Sequence, residues 1–353
     1  MSMSTIMTRG CVSLPGTRAV QTGAVSEKVT SMISTRLTDL LGIDHPVMLA
    51  GMGGVSYHRL AAAVSEAGGI GTLGASTMSP DQMVAEIRSL REQTSRPFGV
   101  DLLTAMPGDL VRQVHQLVDE GATLFVAGLG VPAEVIDLCH RHGVIVASMC
   151  GKVAHARRAV DAGCDLVVAQ GTEAGGHTGQ VATMPLVPQI VDAVGESVPV
   201  VAAGGIVDGR GLAAALALGA DGVWVGTRFI ATPEARAQAG YKDTLLATAE
   251  DGTVVSRAYT GKTCRVVRSE YTAYFEAHPE ELQPFPAQVF RAYEEGASHL
   301  GAGEDAEVDV TREFYPCGQG VGAIDELVPA GRLVGQFVEE AEQILRRLAL
   351  AVR

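Results

Sequence analysis

The segment Gln170-Gly171-Thr172-Glu173-Ala174-Gly175-Gly176-His177-Thr178-Gly179 carries the sharpest chemical signal in this chain. It brings an amide, a carboxylate, a histidine and several glycines into one short stretch. Imidazole titrates near neutrality, so His177 can take or give a proton at modest cost. The flanking glycines let a ligand approach closely, because no Cβ stands in the way. The other histidines lack such a setting. His115, His140, His142 and His155 fall on helix-like stretches, and His45, His58, His278 and His299 have no supporting neighbours. Glu173 reads equally well as a buried carboxylate that ties the loop by hydrogen bonds and as a catalytic group.

Two further segments read as anion sites. Val200-Val201-Ala202-Ala203-Gly204-Gly205-Ile206 ends an apolar run in two glycines, and Asp208 then starts a helix. Gly222-Val223-Trp224-Val225-Gly226-Thr227-Arg228 ends the next run in Gly-Thr. Backbone N–H groups exposed at glycines bind phosphate oxygens, and the Thr227 hydroxyl can add one more donor. Leu49-Ala50-Gly51-Met52-Gly53-Gly54 combines small residues with a flexible apolar methionine, a surface that can lie against a flat ring or simply make a tight turn. Gly69-Ile70-Gly71-Thr72-Leu73-Gly74 spells GxGxxG. A dinucleotide site needs a strand before that motif and a helix after it; here the motif is itself the strand, so it is rejected.

The elements that must position these residues repeat one pattern from Thr38 onward: a short apolar run, a polar or glycine break, then a helix-like stretch. The runs are Pro46–Leu49, Gly69–Leu73, Phe98–Leu103, Leu124–Ala127, Val144–Ala147, Leu166–Ala169, Val198–Ala202 and Gly222–Val225. They are apolar at consecutive positions, as strands of a parallel sheet buried on both faces must be. Glycines follow the intervening helices, as at Glu120-Gly121, Ala162-Gly163 and Leu218-Gly219, where a C-cap requires them. Eight such units predict a closed (β/α)8 barrel, with an open doubly wound sheet as the alternative. The four chemical segments then lie after the first, sixth, seventh and eighth strands, at the barrel mouth. Residues 234–316 break the rhythm and predict a largely helical insertion over that mouth, ahead of a closing helix Ala330–Leu350. The barrel proper is expected over 32–233 and 317–353.

Composition narrows the class. Lys plus Arg is 27 against Asp plus Glu 40, a net charge of −13, which argues against nucleic acid, whose binding rests on clustered positive charge. No segment reaches the roughly 18–20 consecutive apolar residues of a membrane span. Six scattered cysteines without a CxxC point to neither a zinc site nor a disulfide framework, and so to the cytoplasm. Residues 1–31 are Ser/Thr-rich, with Arg9, Arg18 and Lys28 and no acid before Glu27. They fit a transit peptide, or a disordered extension upstream of a true start at Met32, and the second is the expectation.

Together these segments resemble the nitronate monooxygenase (2-nitropropane dioxygenase-like) family of FMN barrels, which includes flavin-dependent enoyl-acyl-carrier-protein reductases. The resemblance runs from about Leu37 to Leu348 and is strongest over Gln170–Phe229; Cys317-Gly318-Gln319-Gly320-Val321-Gly322 looks like the family's late Gly-Gln-x-x-Gly element. It implies FMN across the barrel mouth, its ring against Ala50, Gly51 and Met52. Gln170 would reach the ribityl chain or ring edge, Gly175 and Gly176 would approach from the sixth loop, and Gln319 would fold back near the cofactor. Gly204, Gly205, Gly226 and Thr227 would hold the phosphate, and His177 would be the acid–base residue, with no metal. One departure stands out. The family commonly has Asn after Phe-Gly-Val in the third strand, whereas Phe98-Gly99-Val100 is followed here by Asp101. An ionised carboxylate cannot donate as an amide does, which puts a flavin or substrate contact in doubt.

The leading expectation is oxidation of alkyl nitronates with O2, His177 handling the proton α to the nitro group. The alternative is an NAD(P)H-dependent FMN reductase of an enoyl thioester or quinone, with His177 as proton donor. A barrel that binds a phosphorylated metabolite without catalysis is the non-enzymatic reading. The expected partners are a small-molecule substrate with O2 or NAD(P)H, and a second copy of the chain if it forms a homodimer.

Overall fold

The computed structural model describes residues 33–104, 109–128 and 130–351. The N-terminal extension expected over residues 1–31 lies outside the described residues. Eight parallel strands form one sheet: Val47–Leu49, Gly71–Gly74, Phe98–Leu103, Leu124–Gly128, Ile145–Cys150, Leu166–Gln170, Val200–Ala203 and Gly222–Val225. The first pairs with the eighth through Val47, Met48 and Leu49, and it meets the second through a parallel bridge between Met48 and Ile70. The sheet therefore closes on itself as a (β/α)8 barrel.

Closure follows from the side-chain period of two. Val47 and Leu49, Val167 and Ala169, and Val200 and Ala202 pack in one cluster with the surrounding helices. Their alternates Met48, Leu166, Val168, Val201 and Trp224 form a second cluster with Leu37 and Leu41 of the helix Arg36–Leu41. That helix lies at the N-terminal end of the strands, where Arg36 pairs with Asp221 at 2.9 Å. The apolar runs of the sequence are thus strands buried on both faces. Gly71 shows how tightly helix and strand fit: a Cβ there would lie 1.9 Å from the Ala61 carbonyl oxygen in helix His58–Glu66. This close packing explains the glycines of the rejected GxGxxG motif.

The closing helix Ala330–Ala351 packs on helices Gly209–Ala217 and His58–Glu66, which completes the outer ring. Glu340 accepts from the Gly209 backbone N–H at 2.8 Å. Between the last strand and this helix lie helices Ala239–Ala247, Glu270–Ala277 and Ala287–Glu294. The same region also holds a hairpin, Thr253–Ser256 with Cys264–Val267, which the sequence reading did not contain. Its second strand pairs antiparallel with Gly176–His177, Cys264 opposite His177 and Arg265 opposite Gly176. The loop after the sixth barrel strand is thereby held as the edge of a three-stranded sheet. Among the described residues no helix is long and apolar enough to cross a membrane.

Candidate active site

The C-terminal ends of the barrel strands open into a cavity of about 1500 Å³. Ala50, Gly51 and Met52 line it from the first strand, and Gln170, Gly175, Gly176 and His177 line it from the sixth. Gly204 and Gly205 follow the seventh strand, and Gly226 and Thr227 the eighth. These expected site residues come together in one space. Gln319 is placed differently: its side chain is exposed, and Gly318 and Gly320 line the cavity instead. The Gln319 backbone N–H is spent on the Glu173 carbonyl at 2.8 Å, which fixes a 3-10 turn with the side chain outward.

The anion-binding expectation rests on free donors. Among the described residues the backbone N–H groups of Gly204, Gly205 and Gly226 have no acceptor. Gly204 and Gly226 are half-buried and Gly205 is exposed, and a cavity mouth that presents several such donors suits an anion. The Thr227 hydroxyl accepts from the Gly318 N–H at 2.9 Å and keeps its own proton to donate.

Glu173 resolves to its structural reading. Its Oε2 accepts from both the backbone N–H and the hydroxyl of Thr183, each at 2.8 Å. Arg265 fastens the same loop from the insertion, donating to the Thr172 carbonyl at 2.8 Å and to Thr253 Oγ1 at 3.1 Å. Gln170 donates from Nε2 to the His177 carbonyl at 3.0 Å. Loop and hairpin are tied again where Thr263 Oγ1 donates to the Thr178 carbonyl at 3.0 Å.

The His177 ring has one hydrogen-bond partner among the described residues: its Nε2 lies 3.1 Å from Thr260 Oγ1. That hydroxyl donates to the Lys262 carbonyl and accepts from the Lys262 N–H. When that hydroxyl gives its proton to the Lys262 carbonyl it accepts from His177, the tautomer that carries its proton on Nε2 and leaves the Nδ1 lone pair free. Burial pushes the imidazole down to about 4, and the nearby Lys262 ammonium adds to the effect. At neutral pH His177 is therefore an uncharged ring with a lone pair available. Phe285 meets it edge-on at 6.2 Å, and Lys262 Nζ sits 4.3 Å above that phenyl ring. Thr260, Lys262 and Phe285 line the same cavity, and the sequence did not single them out, since they lie in a stretch without periodic pattern.

Other histidines are held by carboxylates: His58 by Glu86 at 2.6 Å and His299 by the buried Glu313 at 2.7 Å. His155 also lines the cavity, from the helix Val153–Asp161. The five described cysteines are free and buried.

The sequence profile of the family described as nitronate monooxygenase matches residues 34–110 and 102–340. A Mycobacterium tuberculosis protein named (3aS,4S,5R,7aS)-5-hydroxy-7a-methyl-1-oxo-octahydro-1H-indene-4-carboxyl-CoA dehydrogenase is 41% identical over 246 residues, 69% of each chain. The structure of FabK from Thermotoga maritima superposes with a TM-score of 0.82 at 35% identity, over 91% of this chain and all of that one. The nitroalkane oxidase of Streptomyces ansochromogenes gives 0.78 at 32% identity, over 88% of this chain and 99% of that one. The chain therefore belongs to the nitronate monooxygenase family of oxidoreductases.

Proposed function

We propose that this protein is an FMN-dependent oxidoreductase acting on alkyl nitronates with O2, with His177 as its acid–base residue. The supporting observation is an uncharged His177 sharing one cavity with the unpaired N–H groups of Gly204, Gly205 and Gly226. Those donors, with Thr227, suit the FMN phosphate, while Ala50, Gly51 and Met52 offer a small-residue surface for the ring. Gly175, Gly176 and Gln170 would flank it from the sixth loop. When bound, FMN supplies the electron acceptance, and O2 takes the electrons onward.

The chain's own residues handle charge and protons. Burial makes His177 a weak base, poorly matched to pulling a proton from a neutral nitroalkane. An anionic nitronate against Nδ1 reverses that balance, because a nearby negative charge raises the proton affinity of imidazole. Nδ1 then takes a proton from solvent, and the resulting imidazolium holds the anionic nitronate by a charge-assisted hydrogen bond while its electrons pass to FMN. Thr260 holds the ring in register through Nε2, and residues 234–316 cover the mouth over the bound anion.

A second reading, an NAD(P)H-dependent reductase of an enoyl thioester, is favoured by cavity size. The 1500 Å³ exceeds the roughly 300–1,000 Å³ usual for small-molecule sites, leaving room for a bulky acyl carrier. One experiment separates the two: the FMN-loaded protein is mixed anaerobically with a nitronate in one cuvette and with NADPH in another. Nitronate should bleach the flavin without nicotinamide. A flavin that stays oxidised with nitronate and bleaches with NADPH overturns the first reading in favour of the second.

A further inference from the structure

The cavity has a basic wall that neither reading of the reaction uses. Lys152, His155 and Arg158 line it from the helix Val153–Asp161 and its N-cap, just after the fifth barrel strand. A spacing of three residues puts them on one face of that helix. In the closed sheet the fifth strand lies opposite the first, and the sixth separates it from the seventh and eighth. The wall is thus distinct from the donors of Gly204, Gly205 and Gly226. It adjoins the loop that carries His177: a Cβ placed on Gly151 would fall 3.6 Å from Gly179 Cα.

No counter-charge closes this set. Among the described residues neither Lys152 nor Arg158 has an ion-pair or side-chain hydrogen-bond partner, in a chain of net charge −13. Arg36, Arg88 and Arg210 are by contrast each paired with a carboxylate. Asp161, on the same helix, does not line the cavity, and Asp165 is taken by His140 at 3.0 Å and by the Val146 N–H at 2.8 Å. Lys152 as N-cap offers no side-chain acceptor and the first turn holds no acid, so the Val153 and Ala154 N–H groups stay unpaired as well. Burial, with the charges of Lys152 and Arg158, holds the His155 imidazole below its usual range, as cations set close together must. Like charges without a counter-ion repel, and an anion in their midst relieves that cost.

We propose that Lys152, His155 and Arg158 form a second anion subsite, which holds a phosphate carried by the substrate or co-substrate away from its reacting atoms. The group it selects is a phosphomonoester on a ribose, which coenzyme A bears at the 3′ position and NADPH at the 2′ position. The Arg158 guanidinium presents a planar fork that matches two phosphate oxygens, and Lys152 adds a compact point charge. A carboxylate carries one charge and a phosphomonoester close to two, so the dianion is the better match for two fixed cations. A small nitronate beside His177 would leave this wall untouched, and the phosphate of FMN is provided for on the seventh and eighth strands. The cavity of about 1500 Å³ has room for a ligand long enough to reach from His177 to the wall. The inference rests on this cavity being the substrate site, and it names what a large substrate there would carry.

The test is titration calorimetry on the full-length, FMN-loaded protein with two matched pairs of probes: coenzyme A against 3′-dephospho-coenzyme A, and NADP+ against NAD+. In at least one pair the ribose-phosphorylated member should bind about tenfold or more tightly, the scale of a charge-assisted contact, and the pair that discriminates identifies the source of the phosphate. The double variant Lys152→Gln, Arg158→Gln should erase that difference while its flavin spectrum and its affinity for the unphosphorylated member match the wild type. Both side chains are exposed, so the fold does not depend on them. Equal affinities within both pairs, or no binding of any probe at about 1 mM, overturn the proposal. So does a preference for the phosphorylated member that persists undiminished in the double variant. Binding is read here without turnover, so the subsite can fail while nitronate oxidation stands, and the reverse.

Discussion

The state of His177 can be tested by its effect on stability. An ordinary imidazole titrates near 6.5, and burial with Lys262 nearby brings this one to about 4. Between those values the unfolded chain binds a proton at this site and the folded protein does not. Stability from this residue is therefore full above pH 6.5 and drains away as the pH falls toward 4. The shift of 2.5 units, at 1.36 kcal/mol each, amounts to about 3 kcal/mol. Within the window the slope is about 1.4 kcal/mol per pH unit. Urea unfolding of wild type and His177→Asn at intervals from pH 4.5 to 7.5 should give curves that diverge by this slope, since Asn does not titrate. Proton NMR of the ring Cε1–H on the intact protein would report the same group directly. Curves that run parallel, or a ring titrating at 6 or above, would refute the assignment of a neutral, desolvated imidazole.

Other outcomes follow from the same geometry. If nitronate binding draws a proton onto Nδ1, calorimetry in buffers of different ionisation heat should register proton uptake, and affinity should weaken up to about tenfold per unit of rising pH. Thr260→Val removes the acceptor for Nε2 and should lower kcat by about tenfold with the FMN spectrum intact, the scale of one positioning hydrogen bond; an unchanged kcat would place the ring's anchor elsewhere. His177→Ala should keep the flavin spectrum while turnover falls by about 10²-fold or more. Gly71→Ala drives a Cβ into the Ala61 carbonyl and should cost about 2 kcal/mol or more, read as a melting point lowered by several degrees. A melting point unchanged by that substitution would mean that helix and strand can separate at little cost.

The barrel was legible because both faces of each strand are buried, which writes Val, Ile and Leu at consecutive positions. Leu166 and Val167 go to opposite clusters, yet both must be apolar. The cavity glycines were legible for a similar reason, being fixed by local backbone at strand ends. What escaped the sequence depends on distant contacts. Gly176 and His177 read as a flexible loop, and become a strand only because Cys264 and Arg265 pair with them. Thr260 and Lys262 matter through one hydroxyl that no spacing rule marks. Glu173 left two readings open until Thr183 supplied its partners, and the outward turn of Gln319 follows from the bond its backbone makes to Glu173.

The pairing of His177 with the hairpin also bears on synthesis. Thr260 lies 83 residues beyond the histidine it steadies, so a ribosome must complete all eight barrel strands and the first third of the segment that follows them before that imidazole can settle. Contacts so far apart in sequence form late. A nascent chain can thus assemble the strands of its barrel before the ring at 177 finds the hydroxyl that orients it.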